Sequence, residues 1–413
     1  MKKLKYLLIL FLCFSINSFS QNKEEYLISI GKKESIYSEI LKENRDFYVQ
    51  LPQNYDMSKK YPVVYILDGE MILPTVVDVH QYYSGGFFPE MILVGISNQE
   101  NRVRDLTISK VEKLYGMPLA DESGKALVFA DFLEKELIPH IENKYAATNY
   151  RTLIGHSYGG LFTLNTLLHK PHLFENYIAI DPSLDWDNQK LVKDFKQNKK
   201  NLNLEEKSVF ISLGGQLHMQ NSNITIDNVM EDKSEMTIFA RSNIQLKEIL
   251  EQNCPKMNLD WKFYKRDLHG TIPFPSIMDG MIANFEWYQM ENTDKFNSFE
   301  TSTKELKKII EHRAKKLKSH FKYDVAPYPE DLLNALGYMS MDVGQNMKSK
   351  MYFEYAIQFY PESPNVYDSY AEYYERNNNF KKALEYVKKA YELSNSDYHK
   401  KRIAHFEEKL KTN

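Results

Sequence analysis

Short apolar runs, each closed by a polar or glycine-containing turn and separated by helical patterns, constrain this chain more than any other feature. Phe47-Tyr-Val-Gln-Leu51 stops at Pro52, and Val63-Val-Tyr-Ile-Leu67 stops at Asp68-Gly69. Met91–Ile96, Thr152–Ile154, Tyr177–Ile180, Val209–Leu213 and Leu259–Tyr264 follow. Continuous apolar runs suit central strands covered on both faces. The stretches from Ala126 to Tyr145 and from Gly159 to Leu168 read as helices. Strands alternating with helices predict an α/β fold with a mostly parallel sheet flanked by helices.

Near residue 300 the pattern changes. Leu306, Ile309, Ile310, Ala314, Leu317 and Phe321 form one apolar stripe at helical spacing. Beyond Pro327 and Pro329 the sequence repeats with a period of 34 residues: Leu333, Gly337, Ser349, Phe353 and Ala356 are matched by Tyr367, Ala371, Ala383, Val387 and Ala390. That period resembles tetratricopeptide repeats, each a pair of helices, although Ser340 and Asn395 depart from the pattern. Two such repeats cannot bury a continuous core alone, so they are expected to lean on the first domain or on a protein partner. The expected organisation is a signal peptide (1–20), a large α/β domain (21–298), a helical linker (299–328) and a small all-α repeat region (329–413).

At the N-terminus, Lys2, Lys3 and Lys5 precede an apolar run that ends near Ser18-Phe19-Ser20, the pattern of a cleaved secretory signal. The run is too short for a comfortable permanent span, so an exported protein, periplasmic or secreted, with no membrane span after signal removal is expected. Leu12 before Cys13 is too bulky for a lipoprotein signal. Cys254 is then the sole cysteine, so no internal disulfide can form. Removing the signal's three lysines takes a formal net charge of −3 to −6, which offers no electrostatic footprint for nucleic acid. Neither a Gly-rich phosphate loop, an H-E-x-x-H helix nor paired cysteines occur, so no cofactor and no metal are expected.

The chemistry gathers around Gly155-His-Ser-Tyr-Gly-Gly160, between a predicted strand and a predicted helix. G-x-S-x-G in that setting is a nucleophile elbow: the turn projects the Ser157 hydroxyl above the sheet edge, and the flanking Gly155 and Gly159 avoid collisions. A serine hydroxyl needs a base. His269, just after the last predicted strand, stands where this architecture places it. The orienting acid is expected after Val209–Leu213. There Asp232 is the first candidate and Glu231 the alternative, with Asp227 and Glu235 nearby, Asp187 further off, and a dyad without an acid also open. Two backbone amides should receive the developing negative charge, those of Tyr158 and Glu70.

Tyr61-Pro-Val-Val-Tyr-Ile-Leu-Asp-Gly-Glu70, Val94-Gly-Ile-Ser-Asn98, Asn101-Arg-Val-Arg-Asp-Leu106, GHSYGG, Asp181-Pro-Ser-Leu184 and His269-Gly-Thr-Ile-Pro273 occur in that order. Together they resemble the putative-esterase branch of the α/β-hydrolases, which includes esterase D, enterochelin (siderophore) esterases, feruloyl esterases and mycolyltransferases. The resemblance spans about residues 25–295. It implies a serine esterase with Ser157 as nucleophile and His269 as base, acting on a small-molecule ester such as a siderophore or a carbohydrate-linked acyl group. A silent hydrolase-fold binding module and an acyltransferase are the alternatives. Arg102, Arg104 and Trp186 are candidates for substrate contact. Arg104 also reads as a brace to Asp105, and Asp185-Trp186 stands where the family more often has two aromatics.

Overall fold

The structure is a computed structural model that describes residues 30–412 apart from 115, 120, 200 and 201. The expected signal peptide lies outside the described residues. Eight strands form one sheet: β1 (Lys32–Ser38), β2 (Glu43–Gln50), β3 (Tyr61–Ile66), β4 (Ile92–Ile96), β5 (Ala147–His156), β6 (Asn176–Ile180), β7 (Ser208–Gly214) and β8 (Asn258–Tyr264). Their order is β1-β2-β4-β3-β5-β6-β7-β8. β2 pairs antiparallel with β1 and β4, and every other pairing is parallel. A parallel neighbour needs a crossover, and helices supply it.

Side chains alternate between the two faces, as a pleated strand requires. Val63 and Tyr65 of β3 join one apolar cluster with Phe129, Phe162, Phe195 and Leu246. Val64 and Ile66 join the opposite cluster with Val76, Ile277, Met281 and Phe285. The first face is covered by α2 (126–144, with a π-helical turn at Leu133–Leu137), α3 (Tyr158–His169), α4 (Trp186–Asn198) and α5 (Ile238–Asn253). The second is covered by α1 (Gly69–Tyr83) and α6 (Pro273–Phe285). β3, β4 and β6 are buried at every position, as double coverage demands.

Two strands differ from expectation. β8 is an edge strand with alternating exposure, not a fully covered one: Asp260 and Lys262 face solvent between Leu259, Trp261 and Phe263. β1 was not evident in the sequence because its polar run KKESIYS needs only one partner and lies at the opposite edge.

Beyond residue 300 the described chain is helical: α7 (Thr303–Phe321), α8 (Glu330–Asp342), α9 (Asn346–Phe359), α10 (Pro364–Arg376), α11 (Phe380–Ser394) and α12 (Asp397–Thr412). α10 and α11 begin 34 residues after α8 and α9 respectively. Helix pairs close through small residues. A Cβ on Gly337 would meet the Phe353 ring at 2.6 Å, and Ala371, Ala383 and Ala390 are fully buried.

α7 is more than a linker. Leu306 and Ile310 pack among the C-terminal helices, whereas Leu317 and Phe321 pack into the sheet's second face. Each such buried side chain contributes roughly 1.5–3 kcal/mol. Between them, the buried Arg313 donates to the carbonyls of Tyr288, Gln289 and Pro327. Among the described residues, no helix is long and apolar enough to cross a membrane.

Candidate active site

β5 ends at His156 and α3 begins at Tyr158, which leaves Ser157 alone to make the turn. Its backbone adopts φ 60°, ψ −115°, a sparsely populated region for a residue with a side chain. The surroundings hold it there. Ser157 N–H donates to Ile180 O at 3.0 Å, and Ser157 O accepts from Leu161 N–H and Ser183 N–H. A Cβ on Gly155 would lie 2.2 Å from the Gly159 carbonyl oxygen, and one on Gly160 would lie 2.8 Å from Pro182. Those two glycines are sterically required. Gly159 is not, contrary to the sequence expectation, because its Cβ would make ordinary 3.5 Å contacts.

The turn after β8 brings His269 to this hydroxyl. Its Nε2 lies 3.0 Å from Ser157 Oγ, and its Nδ1 lies 2.6 Å from Asp181 Oδ2. A carboxylate oxygen only accepts, so Nδ1 carries the hydrogen and Nε2 is left to accept from the serine. Asp181 directly follows β6 in a left-handed conformation (φ 42°). Its side chain is 3% exposed against 43% for His269, and its other oxygen accepts from Gly214 N–H at 2.8 Å. Two bonds therefore fix the carboxylate while one edge of the imidazole stays open to solvent.

The acid expected from the sequence is elsewhere. Asp232 turns back on its own loop, accepting from Ser234 N–H, Ser234 Oγ and Thr237 Oγ1. These bonds hold its carboxyl below the usual range. Glu231, the alternative, is exposed beside it, and Asp187 accepts from Ser109 Oγ at 2.6 Å. The group facing the base arises one strand earlier than expected, from Asp181-Pro182. A histidine–serine pair without an acid does not describe this geometry.

Two further side chains border the pair. His156 Nε2–H donates to the main-chain carbonyl of His269 at 2.9 Å, and the two rings lie 4.6 Å apart. Burial, and then the neighbouring His269, push the His156 pKa down to about 4. It is therefore a neutral strut under the base's loop at ordinary pH. Phe239 meets the His269 ring edge-on at 5.6 Å, and Ser183 Oγ lies 3.2 Å from Ser157 Oγ.

Glu70 and Tyr158, the expected sources of amide donors, both lie in the first turns of helices, α1 and α3. First-turn amides have no partner inside their own helix and point along its positive end. Gly69 is fixed by sterics, since a Cβ there would fall 2.4 Å from the Gly95 backbone. The Glu70 carboxylate accepts from the Ser97 hydroxyl.

Of the substrate-contact candidates, Arg104 and Trp186 are occupied. Arg104 forks onto Glu43 and reaches Asp105, which also binds Arg45. Trp186 is 2% exposed, packs edge-on against Tyr158 and donates to Ser109. It is a buried wall and not a contact surface. Arg102 stays half-exposed but grips Asp68 with two bonds. Among the described residues, no group of three or more His, Cys, Asp and Glu is placed to hold a metal ion.

A strained serine, an imidazole and a buried carboxylate joined by successive hydrogen bonds can deprotonate a hydroxyl. Comparison with known proteins points the same way. Residues 38–258 match the family model described as Putative esterase. The chain is 29% identical over 227 residues to the ferri-bacillibactin esterase BesA of Bacillus subtilis, covering 49% of this chain and 76% of that one. It is 28% identical over 170 residues to the siderophore triacetylfusarinine C esterase of Aspergillus fumigatus, covering 37% and 56%. In fold it is similar to an IroE-like serine hydrolase from Shewanella oneidensis, with TM-score 0.63, 24% identity, and 80% of this chain and 99% of that one covered. An uncharacterised protein from Capnocytophaga ochracea extends the likeness to 91% of this chain and 99% of its own, with TM-score 0.58 and 19% identity.

Proposed function

The chain belongs to the putative-esterase family, and from that premise we propose that it is a serine esterase that cleaves carboxylic esters through an acyl-enzyme. The observation that carries this reading is the line of contacts from Asp181 through His269 to Ser157. Ser157 Oγ attacks the ester carbonyl as its proton passes to His269 Nε2. The carbonyl electrons move onto oxygen, opposite the Tyr158 and Glu70 amides. Collapse expels the alcohol, which takes the proton from His269, and leaves the acyl group on Ser157. Water then attacks the acyl carbonyl as His269 takes its proton, and His269 returns that proton to Ser157 Oγ as the acyl bond breaks and the carboxylic acid leaves. Asp181 holds the imidazole in the required tautomer throughout and stabilises its charged form.

The similarity to BesA and to the Aspergillus siderophore esterase favours a siderophore ester as substrate. The lysine-led apolar N-terminus favours export, where such a ligand would be met. The 34-residue spacing of helix pairs favours tetratricopeptide-like repeats that serve as a protein-docking region.

A fluorophosphonate probe should label Ser157 alone, and p-nitrophenyl acetate should be hydrolysed with Ser157→Ala slower by on the order of 10⁵-fold. Wild-type turnover no faster than that of Ser157→Ala would overturn the esterase reading.

A further inference from the structure

The His269 imidazole has two ring neighbours of opposite kind. His156 is polar, with ring centroids 4.6 Å apart. Phe239 is apolar and partly exposed, and it meets the imidazole at 5.6 Å with the planes at 88°. Phe239 stands in the first turn of α5, and Asn243, one turn on, donates to Pro182 O at 3.0 Å. Ser183, next after Pro182, has its hydroxyl 3.2 Å from Ser157 Oγ. The start of α5 is thus fastened beside the nucleophile as well as the base.

This flank of the site is apolar and held in place. Phe239 packs against the cluster of Leu213, Leu217, Val229 and Ala240. Leu268, next to His269 in the chain, is 55% exposed, and Met236, in the turn that leads into α5, is 51% exposed. Arg241, a cation in the next turn of the same helix, is spent on Thr237 Oγ1 and Ser234 O. A partly exposed aromatic ring on an apolar base gains when an apolar group of a ligand covers it and displaces water.

The two halves of an ester do not meet this flank equally. The oxygen that leaves as alcohol must come within about 3 Å of His269 Nε2, because that nitrogen protonates it. The carbons it carries therefore extend beside the imidazole. The carbonyl oxygen faces amides that follow β3 and β5, whereas Phe239 rises from the helix between β7 and β8. Carbons two or three bonds from the leaving oxygen thus come within ordinary contact of the ring, about 4 Å. Resting on the serine-esterase reading, we propose that Phe239 is a specificity-determining residue that selects the alcohol half of the ester, favouring an alcohol with an apolar or aryl group close to its oxygen.

The test compares kcat/KM for three neutral esters in the full chain and in Phe239→Ala and Phe239→Leu. Ethyl acetate and benzyl acetate differ in the alcohol half, and ethyl acetate and ethyl phenylacetate differ in the acyl half. One apolar contact in a pocket discriminates by about 10–200-fold. Wild type is therefore expected to prefer benzyl over ethyl acetate by about tenfold or more, and Phe239→Ala to lower that preference about tenfold. Phe239→Leu, apolar but not flat, should lower it about threefold and carries the test if the alanine variant does not fold. The preference between ethyl phenylacetate and ethyl acetate should stay within about twofold in both variants. Wild type without a benzyl preference would overturn the assignment. So would an unchanged preference, or an equal loss on all three esters, in a variant whose Ser157 still takes a fluorophosphonate; equal loss is what a ring that only props His269 would give. Wild-type protein that neither labels nor turns over any of the three would instead overturn the esterase reading.

Discussion

The loop after β6 and the loop after β7 both present carboxylates on the same side of the sheet, yet only one reaches the imidazole. In the longer loop the polar side chains are consumed locally. Asn228 bonds Thr225 N–H and Asn223 O, Asn221 bonds Asn223 N–H, and Asp232 bonds Ser234 and Thr237. The shorter loop is tied to its surroundings instead, with Asp181 N–H on Ser212 O and Pro182 O receiving Asn243 Nδ2. The carboxylate of Asp181 is thereby turned toward the histidine. Side chains that close local turns are unavailable for long-range work.

The comparison breaks first at Asp181. Asp181→Asn should lower kcat by about 10³–10⁴-fold, since an amide there favours the wrong imidazole tautomer. Steady-state hydrolysis of p-nitrophenyl acetate measures it, and a loss under tenfold would remove Asp181 from the orienting role. Next is Gly155→Ala. Its methyl would collide with the Gly159 backbone, and overpacking against backbone that cannot give way should cost about 3 kcal/mol in a urea melt.

His156 sharpens the contrast through pH. Its pKa is lowered to about 4 in the folded chain from the ordinary 6.5, so between those values the unfolded chain binds more protons. Stability must therefore fall as pH drops from about 6.5 to about 4. The loss is up to about 3 kcal/mol, and denaturant melts of His156→Gln should lack that component. The smallest effect belongs to the other loop. Asp232→Asn should change kcat by less than about twofold and stability by about 1 kcal/mol or less, and a larger kinetic loss would erase the distinction between the loops.

The parts of this arrangement that local pattern dictates were legible in the sequence. The strand–turn–helix around Ser157 and the placement of His269 behind the last strand depend on periodicity and order. The acid was not legible by counting carboxylates, because four acids between Asp227 and Glu235 outweigh a single Asp181 until local bonding is considered. Asp232-Lys-Ser234 did carry a signal, for an aspartate two residues before a serine commonly closes its own turn. From sequence alone Arg102 reads as a substrate contact because its partner Asp68 lies 34 residues away, and only the parallel pairing of β3 with β4 brings their following loops together. The exposed edge at β8 is visible as alternation in Leu259-Asp-Trp-Lys-Phe263, a period-2 signal that the apolar content of the stretch masks.

The double allegiance of α7 has a consequence for how the molecule can be divided. Scission anywhere along Thr303–Phe321 strands either Leu306 and Ile310 or Leu317 and Phe321 without their sockets. A clone ending near residue 298 would bare an apolar trough beside Tyr150 and Trp287. The helical tail is thus a keel of the hydrolase body as much as an appendage, and strain on its helices reaches the hull through α7.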